Sequence, residues 1–310
     1  MKSEWKPLAL ILAAGVCTLM LPMLAPAGGD DDTKPNGKAS GTLLNPGNGN
    51  GGEAKAAARP KSGNGINYHG GPLMVGTVNL YYIWYGTWDQ AGVAVKTLTT
   101  FGQSLGGSPY YNINTTYYDG SSAHLTNAIN LVKSATDNYS QGTSLSDSAI
   151  QAVVLSAISS GRLPQDANGV YFVLTSADVT ATSGFCTQYC GWHTHTTNGI
   201  VHIKYAFVGD PTRCPNACQA QTPGPNGNTG ADGMASIIAH ETEEAASDPE
   251  LNAWYDTRGA ENADKCAWTF GTTYTTGNGS QANMNLGGLN FLIQRNWVNA
   301  SGGYCAQKYP

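Results

Sequence analysis

The cysteines constrain this chain more than any other feature. Cys186/Cys190 and Cys214/Cys218 repeat one spacing, three residues between partners, and Cys266 and Cys305 follow them. The seventh, Cys17, stands alone in an apolar N-terminal stretch. Six cysteines in an exported chain read as a disulfide framework, which decides which loops meet before any strand is placed. Short loops close at little entropic cost. The spacing therefore predicts Cys186–Cys190, Cys214–Cys218 and Cys266–Cys305. Crossed pairing between the doublets is the alternative, and the same spacing also suits a zinc site of four thiolates.

Export is read at the other end of the chain. Lys2 and Lys6 lead into "PLALILAAGVCTLMLPML", which closes on "APA" at 25–27. A charged start, an apolar centre and small residues at the cut make a secretory signal. As a membrane span the run is short and is interrupted by Pro22. Residues 1–27 are expected to be removed, taking Cys17 with them and leaving no stable membrane anchor. Residues 28–65 hold no aromatic side chain and are rich in Gly, Asn, Pro and Lys. Such a stretch cannot bury enough apolar surface to offset its ordering entropy, so it reads as a flexible linker. The folded, secreted domain is then 66–310, enough for one substantial domain or two joined lobes.

Charge excludes one class of partner. The formal net charge is −5, and no basic stripe is present, so nucleic acid is not expected as a partner. The sequence also has no Gly-x-Ser-x-Gly elbow and no glycine loop placed after a strand to hold phosphate.

Periodicity gives an α+β fold, a mixed sheet with packed helices. Residues 71–86, "GPLMVGTVNLYYIWYG", predict one long strand or two short ones. Val93, Val95, Leu98 and Phe101 line a helix that a glycine pair ends. Residues 110–139 read as strand or loop. Ile150, Val153, Val154 and Ile158 stripe a second helix capped by Ser144 or Ser146. "NGVYFVLTSADV" and "IVHIKYAFVGD" read as strands. Between them, His193 and His195 alternate on a third and would share its face. Trp84, Trp88, Trp192 and Trp254 could stack on sugars but read first as core.

The chemistry concentrates in "MASIIAHETEEAASDP", residues 234–249. It predicts a helix capped at Asp232 or just before and stopped by Ser247-Asp248-Pro249. The metalloprotease pattern is His-Glu-x-x-His; here a glutamate takes the second histidine's place. His240 and Glu244, four residues apart, share one face, and carboxylate oxygen is also a zinc ligand. Glu241 is turned by about 100°, where it could act as general base on the attacking water. The third ligand is expected to be Asp248, one turn on, or Glu261 in "GAENADKC". Asp264 would then support a ligating histidine. His193, His195 and His202 are further candidates, and His69 and His124 read as ordinary histidines. The arrangement expected is zincin-like, with a late active-site helix holding zinc; a more carboxylate-rich site also suits calcium or manganese. The competing reading is an acidic surface helix, and on either reading Glu243 lies off the ligand face.

The blocks "INYHGGPL", "VNLYYIWYG", "VLTSADVTATSGFCTQYCGWH", "YAFVGDPTRCPNACQ" and "ADGMASIIAHE" resemble the EXORDIUM, or phosphate-induced, family. The resemblance runs from about Asn67 to the end, and the acid-bearing helix sets the chain with a microbial type of member. It implies a secreted, extracellular or cell-wall-associated protein, with a growth role in plants and no defined chemical activity. Two functions follow. One is a secreted zincin-like metal-dependent peptidase acting on extracellular peptides. The other is a non-catalytic EXORDIUM-type protein that binds cell-wall material, carbohydrate included. The exported protein is expected to begin at Gly28, which N-terminal sequencing of secreted material reads directly.

Overall fold

The computed structural model describes Met1 and residues 65–310. The signal-peptide and linker readings, apart from their end residues Met1 and Gly65, lie outside the described residues.

The chain is an α+β protein around a five-stranded mixed sheet. Strand β1 (Val78–Tyr85) is followed by helix α1 (Val93–Leu105), β2 (Ile129–Asp137), α2 (Asp147–Ser159) and β3 (Gly169–Thr175). Then come β4 (Gly191–Asn198), β5 (Val201–Gly209) and the long helix α3 (Thr229–Ser247). The strands lie in the order β2-β1-β3-β5-β4; the first four are parallel and β4 runs antiparallel at one edge. In β3 every residue is buried, and in β1 all but Asn79. Unbroken apolar runs suit central parallel strands, which are covered on both faces. The β4–β5 hairpin closes through Gly199 and Ile200, and Gly199 takes φ +64° at the first central position, where glycine costs least.

The predicted strand over 71–86 is thus confined to β1, and residues 110–139 divide into a 3-10 turn (Tyr111–Thr116) and β2. Ser146 caps α2, accepting from the Ala149 N–H, and Ile150, Val153, Val154 and Ile158 are all buried. Val93 departs from the predicted stripe of α1: it sits in the first turn and is exposed. The tryptophans behave as core, with Trp84, Trp192 and Trp254 buried and Trp88 half-buried.

Helix α3 overturns the surface-helix alternative. Every residue from Met234 to Ser247 is buried. It packs on β4, β5 and α1, and the short C-terminal strand Leu289–Phe291 lies against it as well. Its cap is Asn228, whose side chain accepts from the Ala231 N–H at 2.9 Å. Asp232 instead sits inside the first turn, where an acid suits the helix dipole, and accepts from the backbone and side chain of Asn226.

The disulfides are crossed, not local: Cys186–Cys214 and Cys190–Cys218, each 28 residues apart, with Cys266–Cys305 as expected. Each doublet belongs to a tight turn. The Cys218 N–H donates to the Cys214 carbonyl at 3.0 Å, closing one helical turn. Residues four apart in such a turn hold their Cβ atoms about 5–6 Å apart, beyond the roughly 3.8 Å that a disulfide spans. The two turns therefore bond to each other. Non-reducing peptide mapping with cleavage after Tyr189 should leave both fragments attached to the segment carrying Cys214 and Cys218; release of that segment would restore the local pairing.

Candidate metal centre

Three elements bring five side chains together. Helix α3 supplies His240 and Glu244, one turn apart. Edge strand β4 supplies His193. The segment after the helix supplies Glu261 and Asp264, next to a short 3-10 turn (Asp264–Cys266) anchored by the Cys266–Cys305 bridge. The His240 Nε2 lies 2.9 Å from Glu244 Oε1 and 3.5 Å from Asp264 Oδ1. The His193 Nε2 lies 3.3 Å from Glu261 Oε2 and 3.8 Å from Glu244 Oε2. Asp264 is 9% exposed and the other four no more than 1%.

Several of these atoms approach one another without bonding. His240 Nε2, Glu244 Oε2, Glu261 Oε1 and Asp264 Oδ1 are buried with no hydrogen-bond partner. Ligand atoms about 2.0–2.1 Å from a tetrahedral ion stand roughly 3.3 Å apart, and the four separations bracket that figure. Two sets of donor atoms could hold a metal ion: His193, Glu244 and Glu261, and His240, Glu244 and Asp264. Backbone contacts stiffen them. The Asp264 N–H donates to Glu244 Oε1 at 3.0 Å, and the Glu261 N–H donates to Asp264 Oδ2 at 3.2 Å.

The electrostatics are those of carboxylates crowded out of water. Burial, then the charges of Glu244 and Asp248, holds the Glu261 carboxyl well above its usual range. Burial and Glu244 push Asp264 up to about 7. His193 is pushed down to about 4, chiefly by burial. Burial alone would lower His240 too, but Glu244, Asp264 and Glu241 outweigh it and hold the imidazole well above its ordinary value. Buried carboxylates this close need protons or a cation among them.

The remaining candidates separate from this cluster. The expected third ligand Asp248 closes the helix instead: its Oδ1 accepts from the Asn252 and Ala253 N–H groups at 2.6 and 2.7 Å. Glu261 does join, but it faces His193, and the acid facing His240 is Asp264. Glu241 is buried where α3 meets β4; a Cβ on Gly191 would stand 2.5 Å from Ile237 Cγ2 and 3.1 Å from Glu241 Oε1. His195 stacks on His202, which pairs with Glu250 at 2.6 Å, and His69 stacks on Tyr255.

Sequence reasoning missed the far side of the helix. Glu243 lies off the ligand face yet is fully buried, and its Oε2 accepts from Asn296 Nδ2 at 2.7 Å. Its main-chain carbonyl accepts from Asn114 Nδ2, Asn262 Nδ2 and Ser247 Oγ, each at 3.1 Å. No spacing links Asn114, Asn262 and Asn296, so nothing in the sequence announced this knot.

Comparison with known proteins gives the family of the chain. The family model described as "Phosphate-induced protein 1 conserved region" matches residues 66–290. The chain belongs to the phosphate-induced, or EXORDIUM, family. It is 34% identical over 280 residues to Protein EXORDIUM-like 3 of Arabidopsis thaliana, covering 77% of this chain and 82% of that protein. It is 33% identical to Protein EXORDIUM-like 5 of the same plant, covering 75% of each chain. Protein PHOSPHATE-INDUCED 1 of Nicotiana tabacum is 27% identical, over 61% of this chain and 67% of the relative. No solved structure matches. These relatives are plant proteins, so the microbial type read from the helix rests on the sequence resemblance alone. All five clustered residues fall inside the EXORDIUM family region, whereas Cys305, which anchors the Asp264 turn, falls beyond it.

The Glu243 knot gives a direct test. Glu243→Ala leaves the Asn296 amide unsatisfied in a new cavity and is expected to cost about 2–4 kcal/mol. Glu243→Gln keeps an acceptor and the volume, and is expected to cost about 1 kcal/mol or less. Urea unfolding of both variants checks this; equal losses would show that the hydrogen bond is not what matters.

Proposed function

We propose that the protein is an extracellular, wall-associated EXORDIUM-type protein without peptidase activity, whose His-Glu-x-x-Glu helix holds a metal ion as part of its core. The observation that carries this reading is burial: all five clustered side chains lie out of solvent. Structural zinc sites are closed, whereas catalytic ones keep an open position in a cleft. Zinc fits the imidazole and carboxylate donors of His240 and Glu244, with Asp264 or Glu261 completing the set. Asp248, the other ligand expected from sequence, is left to its capping role.

Secretion is supported by the three bridges, which persist in oxidising compartments. Among the described residues no helix is long and apolar enough to cross a membrane. The partner on this reading is cell-wall carbohydrate. A crevice beside the first half of α3 is lined by Trp268, Phe270, Gln221, Asp232 and Gln294, rings and polar groups of the kind that hold sugars.

A second reading, a zincin-like metal-dependent peptidase acting on extracellular peptides, is favoured by one feature. An antiparallel edge strand runs beside the helix that carries the His-Glu pair. In that reading a metal held by His240 and Glu244 would supply Lewis acidity, and Glu241 would take the proton of the attacking water.

One set of measurements separates the two. Elemental analysis of the purified secreted protein should find a bound transition metal, and casein or a peptide library should remain uncut. An ion present at about a thousand times its Kd adds roughly 4 kcal/mol of stability, so chelation should lower the unfolding temperature clearly. Cleavage by the wild type that Glu241→Gln abolishes without loss of metal would establish the peptidase. Absence of metal would overturn the peptidase and the metal-holding role of the helix, and leave a non-catalytic EXORDIUM-type protein without a metal.

A further inference from the structure

We propose that Glu244 bridges two divalent cations in a dinuclear centre: one ion bound by His240 and Asp264, the other by His193 and Glu261. The inference rests on the metal reading above and goes beyond its single ion. Its basis is how the Glu244 carboxylate is shared. Oε1 lies 2.9 Å from the His240 imidazole, and Oε2 lies 3.8 Å from the His193 imidazole. Each imidazole has its own terminal carboxylate besides: Asp264 at 3.5 Å from His240, and Glu261 at 3.3 Å from His193. The result is two matched sets of imidazole, terminal carboxylate and shared carboxylate. Within each set the donor atoms lie within 4.8 Å of one another. A carboxylate that presents one oxygen to each of two nitrogen donors has the form of a bridge between ions about 3.5–4 Å apart.

Charge points the same way. Glu244, Glu261 and Asp264 are the three carboxylates of the two sets, and all three are buried or nearly so. Imidazoles that ligate through Nε2 are neutral. One divalent ion would therefore leave one of these three carboxylate charges uncompensated in the interior, where an unpaired charge is costly. A second divalent ion makes up that charge. The buried atoms without partners are distributed over both sets: His240 Nε2 and Asp264 Oδ1 in one, Glu261 Oε1 in the other, and Glu244 Oε2 between them.

The test is stoichiometry with manganese as probe. The full exported chain, stripped with chelator and reloaded with Mn2+ alone, should retain about two ions per chain after desalting. Its low-temperature EPR spectrum should show the many-line signal of an exchange-coupled pair. Glu261→Gln and His193→Ala, each confirmed folded by circular dichroism, should both drop to about one ion and give the simple six-line spectrum. A wild type holding about one ion with a six-line signal overturns the bridge but leaves the single-ion reading standing. Two ions without magnetic coupling overturn the shared carboxylate. No bound ion overturns both proposals.

Discussion

Six acidic side chains buried on or beside one internal helix set the terms for the rest of this molecule. Glu241, Glu243, Glu244, Asp248 and Glu261 are fully buried, and Asp264 nearly so. An isolated ionised carboxylate in a protein interior costs far more than any single contact returns, so each must be satisfied locally. The structure does this in three ways. Asp248 accepts two backbone N–H groups at the helix end. Glu243 accepts from Asn296 within a knot of asparagines. Glu244, Glu261 and Asp264 crowd around two imidazoles, where protons or cations can offset their charge, and Glu241 is buried apart from them where α3 meets β4.

The fold can be read as the means of holding that crowd in place. Gly191 lets the edge strand approach α3 closely enough to bring His193 under the helix; any larger residue would strike Ile237. The Cys266–Cys305 bridge pins the short turn that presents Asp264. The crossed bridges join the loop entering β4 to the loop before α3, so both elements that carry the imidazoles are fixed at their starts. Such cross-linking limits how far the cluster can loosen when it is uncharged.

Much of this was legible in the chain. The helix bearing His240 and Glu244 could be bounded from its Asp-Pro stop and its four-residue spacing, because those are local signals. Strands β1, β3 and β5 could be read from apolar runs that need two covered faces. His193 and His195 read as sharing one strand face, yet His193 joins the cluster and His195 stacks on His202, and the alternation carries no information about which. The resemblance blocks identified the family, which the 66–290 match bears out.

What the sequence determined by itself is therefore local and periodic: the elements, the late helix, the Cys266–Cys305 pair and the family. Tertiary structure decided the rest. Whether an acidic helix lies on the surface or in the core depends on what covers it, and the docking of α1, β4 and β5 on α3 is not written in the local pattern of any of them. The doublets pair across because two turns dock face to face, an event that loop entropy alone does not rank. Asp264, not Glu261, faces His240 because a turn tied by a distant cysteine sets its direction. Convergence of side chains from a strand, a helix and a loop is a property of packing, and spacing along one chain does not encode it.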